Sequence, residues 1–368
     1  MKKIFLATAL LAISLAAGAQ SMYDAITFSQ NHYFGTARSM AMGNAVTALG
    51  GDLGSIGINP AGSAVSSYGQ FVITPGLTIS AVASQYSPEG ESGYGPVNNL
   101  KSTKFNMPNV GVSMTFETGK RYGVKAISFA VLSNQTNSFN YAADAFGNNS
   151  RTSKIAEFAD AAYGISEVYL PKTNDYNPYD YSDVSWDILT AYNGGMFGPY
   201  GWDADYAGVT ESISDNGDYH FVPAALAQTS SLTKIGSKSD LIMNFGLNIS
   251  DRVYVGFNLG VPMIRYRFDE SFYEAAVNPE LFPIVYEDGD QLYTTYFQRG
   301  YYNYQYLADI GGVYAGVGVI VRPTDNLRLG ASIQSPTALS VSETWQYMAS
   351  TTFSDSDYND SETSPTGE

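Results

Sequence analysis

The sequence predicts an all-β chain whose antiparallel strands build a transmembrane β-barrel of the outer-membrane type. Three observations predict it: an export signal followed by no helix-length apolar run, segments that alternate with period two, and connections that are short and long in turn. Taken in chain order, each element has its own reason.

Residues 1–19 carry Lys2 and Lys3, an apolar run from Ile4 to Leu15 and the small residues Ala17, Gly18 and Ala19. This order of basic, apolar and small residues marks a secretory signal peptide, and the run is short for the roughly 20 apolar residues of a spanning helix. No later apolar stretch is long enough either, so a membrane-spanning reading requires a barrel.

Phe71 to Ala83 puts Phe71, Ile73, Leu77 and Ile79 on one parity and Thr74, Gly76, Thr78 and Ser80 on the other. Val110, Val112, Met114 and Phe116 alternate with Gly111, Ser113 and Thr115, and Leu241 to Ile249 repeats the pattern. Val253 to Met263, Val313 to Val321 and Leu327 to Ile333 behave alike, while 124 to 132 is apolar on both faces. Such alternation denotes half-buried strands, about seven of them, near 71–85, 106–117, 122–134, 240–250, 252–268, 305–322 and 327–347. Thr118 to Arg121, Ser250-Asp251 and Pro323 to Asn326 are short links; 86–105, 135–239, 269–304 and everything after 348 are long ones. Tight turns at one end and long loops at the other are the habit of outer-membrane barrels, and a soluble sandwich has no reason to sort its loops so.

Composition narrows function. The 368 residues hold 19 basic and 35 acidic side chains, for a net charge of -16, with no Cys and 2 His. Thiolate zinc, iron–sulfur and cysteine chemistry are excluded, and an acidic chain does not suit nucleic acid. The 29 Tyr need a place. Tyr254, Tyr266, Tyr314 and Tyr347 are expected in an aromatic girdle at the lipid boundary. Acidic loop residues such as Asp175, Asp180, Asp183 and Asp187 read as a solvated face, without the spacing of a calcium loop. His32 and His220 stand beside no serine of matching parity, and no phosphate-binding loop is present, so neither catalytic residues, a metal site nor a cofactor is expected.

Residues 35 to 62, GTARSMAMGNAVTALGGDLGSIGINPAG, carry Gly35, Arg38, Gly43, Ala45, Asp52 and the run Asn59-Pro60-Ala61-Gly62; residues 316 to 339 carry Gly330-Ala331-Ser332 and Ser335-Pro336. This combination resembles the long-chain fatty acid outer-membrane transporter family (FadL-like). The resemblance implies a hatch at 20–68 plugging a barrel of about fourteen strands, whose first half would lie in 69–368 with a long extracellular loop at 135–239. Seven strands and the polar tail SDSDYNDSETSPTGE are then expected to be one incomplete, C-terminally truncated barrel, monomeric when full length.

It also implies an outer membrane of a Gram-negative bacterium, contact with bilayer and lipopolysaccharide, and uptake of hydrophobic small molecules with lateral release through the wall. Gly35, Arg38, Asn59, Pro60, Ala61 and Gly62 would form the gating hatch, although an Asn-Pro turn is also an ordinary way into a strand. Met22, Phe28, Phe34, Met40 and Met42 would line a greasy path or merely pack the plug. Pro75, Gly76, Gly260 and Pro262 are expected to break the wall, as lateral exits or as bends, because proline removes a ladder donor. Trp186, Phe197, Tyr200 and Trp202 in the long loop are expected to cap the mouth and capture substrate, alongside a helix over Thr152 to Tyr163, or to pack a ligand-free lid. A haemin or porphyrin receptor of the same fold, and a general porin or adhesin, are the alternative readings.

Overall fold

The computed structural model describes residues 22–87, 95–181, 183–200, 204–214, 220–288 and 291–368. The expected signal peptide and Trp202 lie outside them. Among the described residues three short helices come first, α1 (Met22–Ser29), α2 (Ala37–Ala41) and α3 (Leu53–Ile56), followed by a 3-10 turn at Pro60–Val65. Then come β1 (Gln70–Ser84), β2 (Asn98–Glu117), β3 (Val124–Ser138) and β4 (Tyr141–Asn149).

A compact insertion follows, with α4 (Lys154–Ala162), α5 (Pro178–Tyr181), α6 (Trp186–Asn193), β5 (Phe197–Pro199), β6 (Tyr206–Gly208), β7 (Ser212–Ile213) and β8 (His220–Phe221). The chain returns to the sheet with β9 (Leu226–Ile249), β10 (Val253–Ala276), β11 (Pro283–Asp288), β12 (Gln291–Thr324), β13 (Leu327–Gln334), β14 (Ala338–Phe353) and β15 (Asp360–Thr363).

The fold is all-β, dominated by one eleven-stranded antiparallel sheet in the order β1-β2-β3-β9-β10-β12-β14-β15. β3 and β4 lie end to end along β9, and β13 and β14 end to end along β12. Six of the seven segments expected to be strands lie on one of these; the seventh, 327–347, divides into β13 and β14 at residues 335–337, where Pro336 interrupts it. Among the described residues no ladder joins β1 to β13 or β14, so the sheet is open.

Strands run well past their expected ends. The loop expected at 135–239 shrinks to 150–225, because β3, β4 and β9 continue through SNQTNSFNYAADAFGNN and LAQTSSLTKIGSKSD; β12 alone is 34 residues long. Both faces of these extensions are polar or tyrosine-rich, so backbone pairing persists where the period-two contrast has gone. The expected polar tail also differs: β14 reaches Phe353, turns at Ser356–Tyr358 and returns as β15, pairing Met348 with Thr363. The short links stay short. Ser250 and Asp251 both take positive φ, 57° and 55°, in a two-residue hairpin turn held by Asn248, whose Oδ1 accepts from the Asp251 N–H at 3.0 Å.

The faces are inverted relative to a soluble sheet. Phe71 and Leu77 on β1 are 72% and 63% exposed, and Phe105, Met114, Phe129, Met243, Phe245, Phe257 and Val317 continue this outward apolar band across β2, β3, β9, β10 and β12. The opposite face carries buried Asn109, Asn134, Lys238, Asp240, Asn244 and Asn258. Tyr254, Tyr266 and Tyr314 are buried on this inner face, not in an outward girdle, because they share the parity of Gly256 and Asn258; Tyr347 stacks there on Tyr304.

Candidate functional site: the hatch seat and the split in the wall

The hatch sits on a row of small residues. Ser128, Gly246, Gly256, Gly318 and Ser332 are cross-strand neighbours on β3, β9, β10, β12 and β13. A Cβ on Gly256 would overlap the Pro60 carbonyl, and one on Gly318 the Asn59 side chain. The missing side chains let the Asn59–Ser63 backbone lie against the wall.

Asn59 is fully buried. Its Oδ1 accepts from the Ala61 N–H at 3.0 Å, and its Nδ2 donates to the carbonyls of Thr47 at 2.7 Å and Val319 at 3.2 Å. Asn244 donates to Pro60 O at 2.9 Å, Asn258 to Ile56 O at 2.8 Å, Ser332 to Ile58 O at 2.8 Å and Arg328 to Leu49 O at 2.8 Å. Wall side chains thus satisfy hatch carbonyls, and for the buried Pro60 and Ile56 carbonyls water could not do so. Ala61 is buried and Gly62 packs against Ser55 and Gly50. Gly35 packs against Ser39 and Gly54, whereas Arg38, Met40 and Met42 are exposed on the hatch surface.

Beside the seat the wall divides. The β2–β3 ladder runs from Glu117↔Ala126 to Asn109↔Asn134 and stops. The next residue on β2 is Pro108, which has no N–H to give. On the other side of β2 the register slips: Thr74 pairs with Asn109 but Gly76 with Asn106, leaving Pro75 opposite Met107 and Pro108. Pro75 and Gly76 therefore mark a true bulge. Beyond it β2 pairs only with β1, and this part of β3 only with β9. A cavity of about 200 Å³ occupies the split, lined by Thr78, Lys104, Asn106, Gln135 and Asn140 among others.

The second pair of expected breaks is different. Gly260 and Pro262 lie on the inner face of β10, whose ladder to β9 is continuous through both; the ladder to β12 skips Val261 and Pro262, between Gly260↔Tyr314 and Met263↔Gly311, and resumes without a shift of register. The Tyr314 ring covers Gly260, and its hydroxyl donates to Asp240 at 3.0 Å.

The segment between α1 and α2 ties the hatch to the split. His32 N–H donates to Thr136 O at 2.5 Å and Phe34 N–H to Gln135 O at 3.1 Å, acceptors on the strand that β2 has left. Asn137 Nδ2 donates to Gln30 O at 3.3 Å and Lys238 Nζ to Phe28 O at 2.9 Å. Just above, the Phe28 side chain is 2% exposed in an aromatic nest, edge-on to Phe139 at 6.2 Å and Tyr266 at 5.5 Å, with Ile264 and Ile310 behind. Phe28, near the end of α1, and Phe34, in the strap that follows it, thus cover the inner side of the split.

At the far end of the wall the insertion 150–225 packs as a lid. Its core joins Ile155, Phe158, Leu189 and Phe197 to Phe282, Phe297 and Tyr302 of the sheet's extensions. Trp186 is half-buried between Tyr179 and Trp345, and Phe197 is buried. Tyr200 packs edge-on against His220. The helix expected over 152–163 is α4, and its N-terminus is held by the wall: the buried Glu274 carboxylate accepts from Ser153 Oγ at 2.8 Å and from the N–H groups of Lys154 at 2.9 Å and Ile155 at 3.2 Å. Burial pushes the Glu211 carboxyl in this lid above its ordinary value, against the Gly208 N–H and nearby His220. A mixed-charge recess of about 500 Å³ lies here, with Arg151, Lys154, Glu157 and Glu211 on its walls. His32, on the strap, and His220, in the lid, belong to separate parts of the molecule.

No family model, curated protein or solved structure matches the chain. The site therefore stands on its geometry.

Sequence reading missed Pro108, Lys104, Lys238 and Glu274. A signal for Pro108 was present: the outward apolar residues of β2 are odd-numbered at Phe105 and Met107 and even-numbered at Val112 and Met114, a parity switch centred on the proline.

Proposed function

We propose that this chain is part of an outer-membrane barrel that takes up hydrophobic small molecules, long-chain fatty acids or similar lipophiles, past a hatch and out sideways through the β2–β3 split. The observation that carries this reading is the conjunction of an outward apolar band, a hatch seated against the polar inner face, and a wall ladder that stops beside the hatch's strap.

An apolar band on the face away from the packed interior fits lipid contact, and a polar interior fits a barrel lumen. A lipophile gains nothing from a water-filled pore; a sideways exit into the hydrocarbon layer keeps its apolar surface out of water. The unpaired edges of β1 and β13 call for further strands to close such a wall. The resemblance of the hatch and of the 316–339 hairpin to the FadL-like family supports the same reading.

Uptake of a labelled long-chain fatty acid by cells producing the whole gene product, with the wall closed by its further strands, tests it. Uptake above that of cells without the gene is expected, together with a rise in conductance when residues 22–62 are removed. Equal uptake in the two strains would refute the reading.

A further inference from the structure

From the cavity in the split we infer a head-group site: Lys104 binds the anionic head of an amphiphile whose chain lies along the outward face of β1 and β2. This inference rests on the lateral exit proposed above.

Lys104 stands at the top of the split, paired across the ladder with Thr78, and its Nζ donates to Asn140 Oδ1 at 2.8 Å. Among the described residues it has no carboxylate partner. A half-buried cation facing a cavity keeps donor capacity for an anion, since an ammonium offers three N–H bonds. Beside it, Asn106 donates to Gln135 Oε1 at 3.0 Å while its own Oδ1 is buried with no donor. An acceptor left so is costly unless a donor such as a head-group hydroxyl reaches it.

Immediately outside the cavity the wall is apolar. Phe105 is 66% exposed, Leu77, its cross-strand partner, 63%, and Ile79, one step along the same face, 66%. Lys104 and Thr78 are of the opposite parity to Phe105 and Leu77 and face inward, so an amphiphile held by its carboxylate or phosphate at Lys104 reaches these side chains by passing its chain through the split. Charge-assisted hydrogen bonds to the ammonium favour the anion over an uncharged analogue, and loss of that contact weakens binding about tenfold or more. Two sources offer this chemistry: the free acid leaving the lumen, and a resident anionic lipid.

The test is photo-crosslinking of the full chain in nanodiscs with three probes: stearate bearing a diazirine near its carboxyl, its methyl ester, and phosphatidylglycerol with the same chain. Stearate is expected to label peptides containing Phe105, Met107 and Gln135, about tenfold more than the ester. K104M should abolish this preference, and K104R should restore it, which separates lost charge from lost folding. Labelling by stearate that is unchanged in K104M overturns the site and leaves the uptake reading intact. Labelling by phosphatidylglycerol alone, still dependent on Lys104, keeps the site as a lipid anchor and removes its part in substrate exit. No labelling by any probe refutes both.

Discussion

Asn59 and Gly318 show how much can rest on one contact. The asparagine side chain fills the space that a β-carbon on the glycine would need, and it spends its donors on two carbonyls from different parts of the chain. G318A forces backbone against a buried amide, and N59A leaves those carbonyls unpaired; each is expected to destabilise the seated hatch by about 2 kcal/mol. Limited proteolysis of the hatch reads this out, and cleavage at the wild-type rate would argue against the seat. At the lid, the Glu211 carboxyl is raised by burial, so the folded lid binds its proton more tightly than the unfolded chain does. Stability from this group is therefore fullest at low pH and falls as pH rises through the raised value. Hydrogen exchange across Gly208–Ile213 should quicken from about pH 4 to pH 7 beyond the intrinsic trend, and E211Q should flatten the change.

At the scale of elements, the lid is fixed through one strand-to-helix junction. Glu274 on β10 collects the first N–H groups of α4 as well as the Ser153 hydroxyl. E274A strands these buried donors and is expected to loosen α4 by about 2–4 kcal/mol, whereas E274Q, keeping one acceptor, should cost less. Exchange protection of α4 amides measures both, and an E274A helix protected like wild type would disprove the junction. The wall strands and α4 were legible because their apolar periods are clean. Strand extensions were not, since Tyr, Ser, Thr and Asn suit both faces above the apolar band and leave no period to read. The seat was half legible: Asn59-Pro60-Ala61-Gly62 stands out in the sequence, but the glycines that receive it lie on three separate strands and are joined only by register. The split was signalled by Pro108 yet hidden by the neighbouring Pro75 bulge, and Gly260 and Pro262 mark a two-residue gap in the β10–β12 ladder across which the register does not slip.

For the whole molecule, the open sheet has an outward apolar face, a polar face on which residues 22–65 sit, and an interrupted ladder where the segment between α1 and α2 attaches. Strap and split share hydrogen bonds at Gln135 and Thr136, so displacing the strap frees the carbonyls that line the opening. The absence of cysteine makes the arrangement easy to probe with introduced thiols. Single cysteines at Phe245, facing out, and Asn244, facing in, should differ: a fluorophore at 245 is quenched by brominated lipid and one at 244 is not. Equal quenching would contradict the assignment of faces.

Asn106 and Gln135, whose side chains meet across the split at 3.0 Å, offer the most direct test of the path itself. With both replaced by cysteine and joined by a short bismaleimide in producing cells, hydrophobic uptake is measured before and after linking. Loss of uptake on linking, with none in either single-cysteine control, is the result expected of a lateral exit at β2–β3. Undiminished uptake through a fully stapled wall would contradict it.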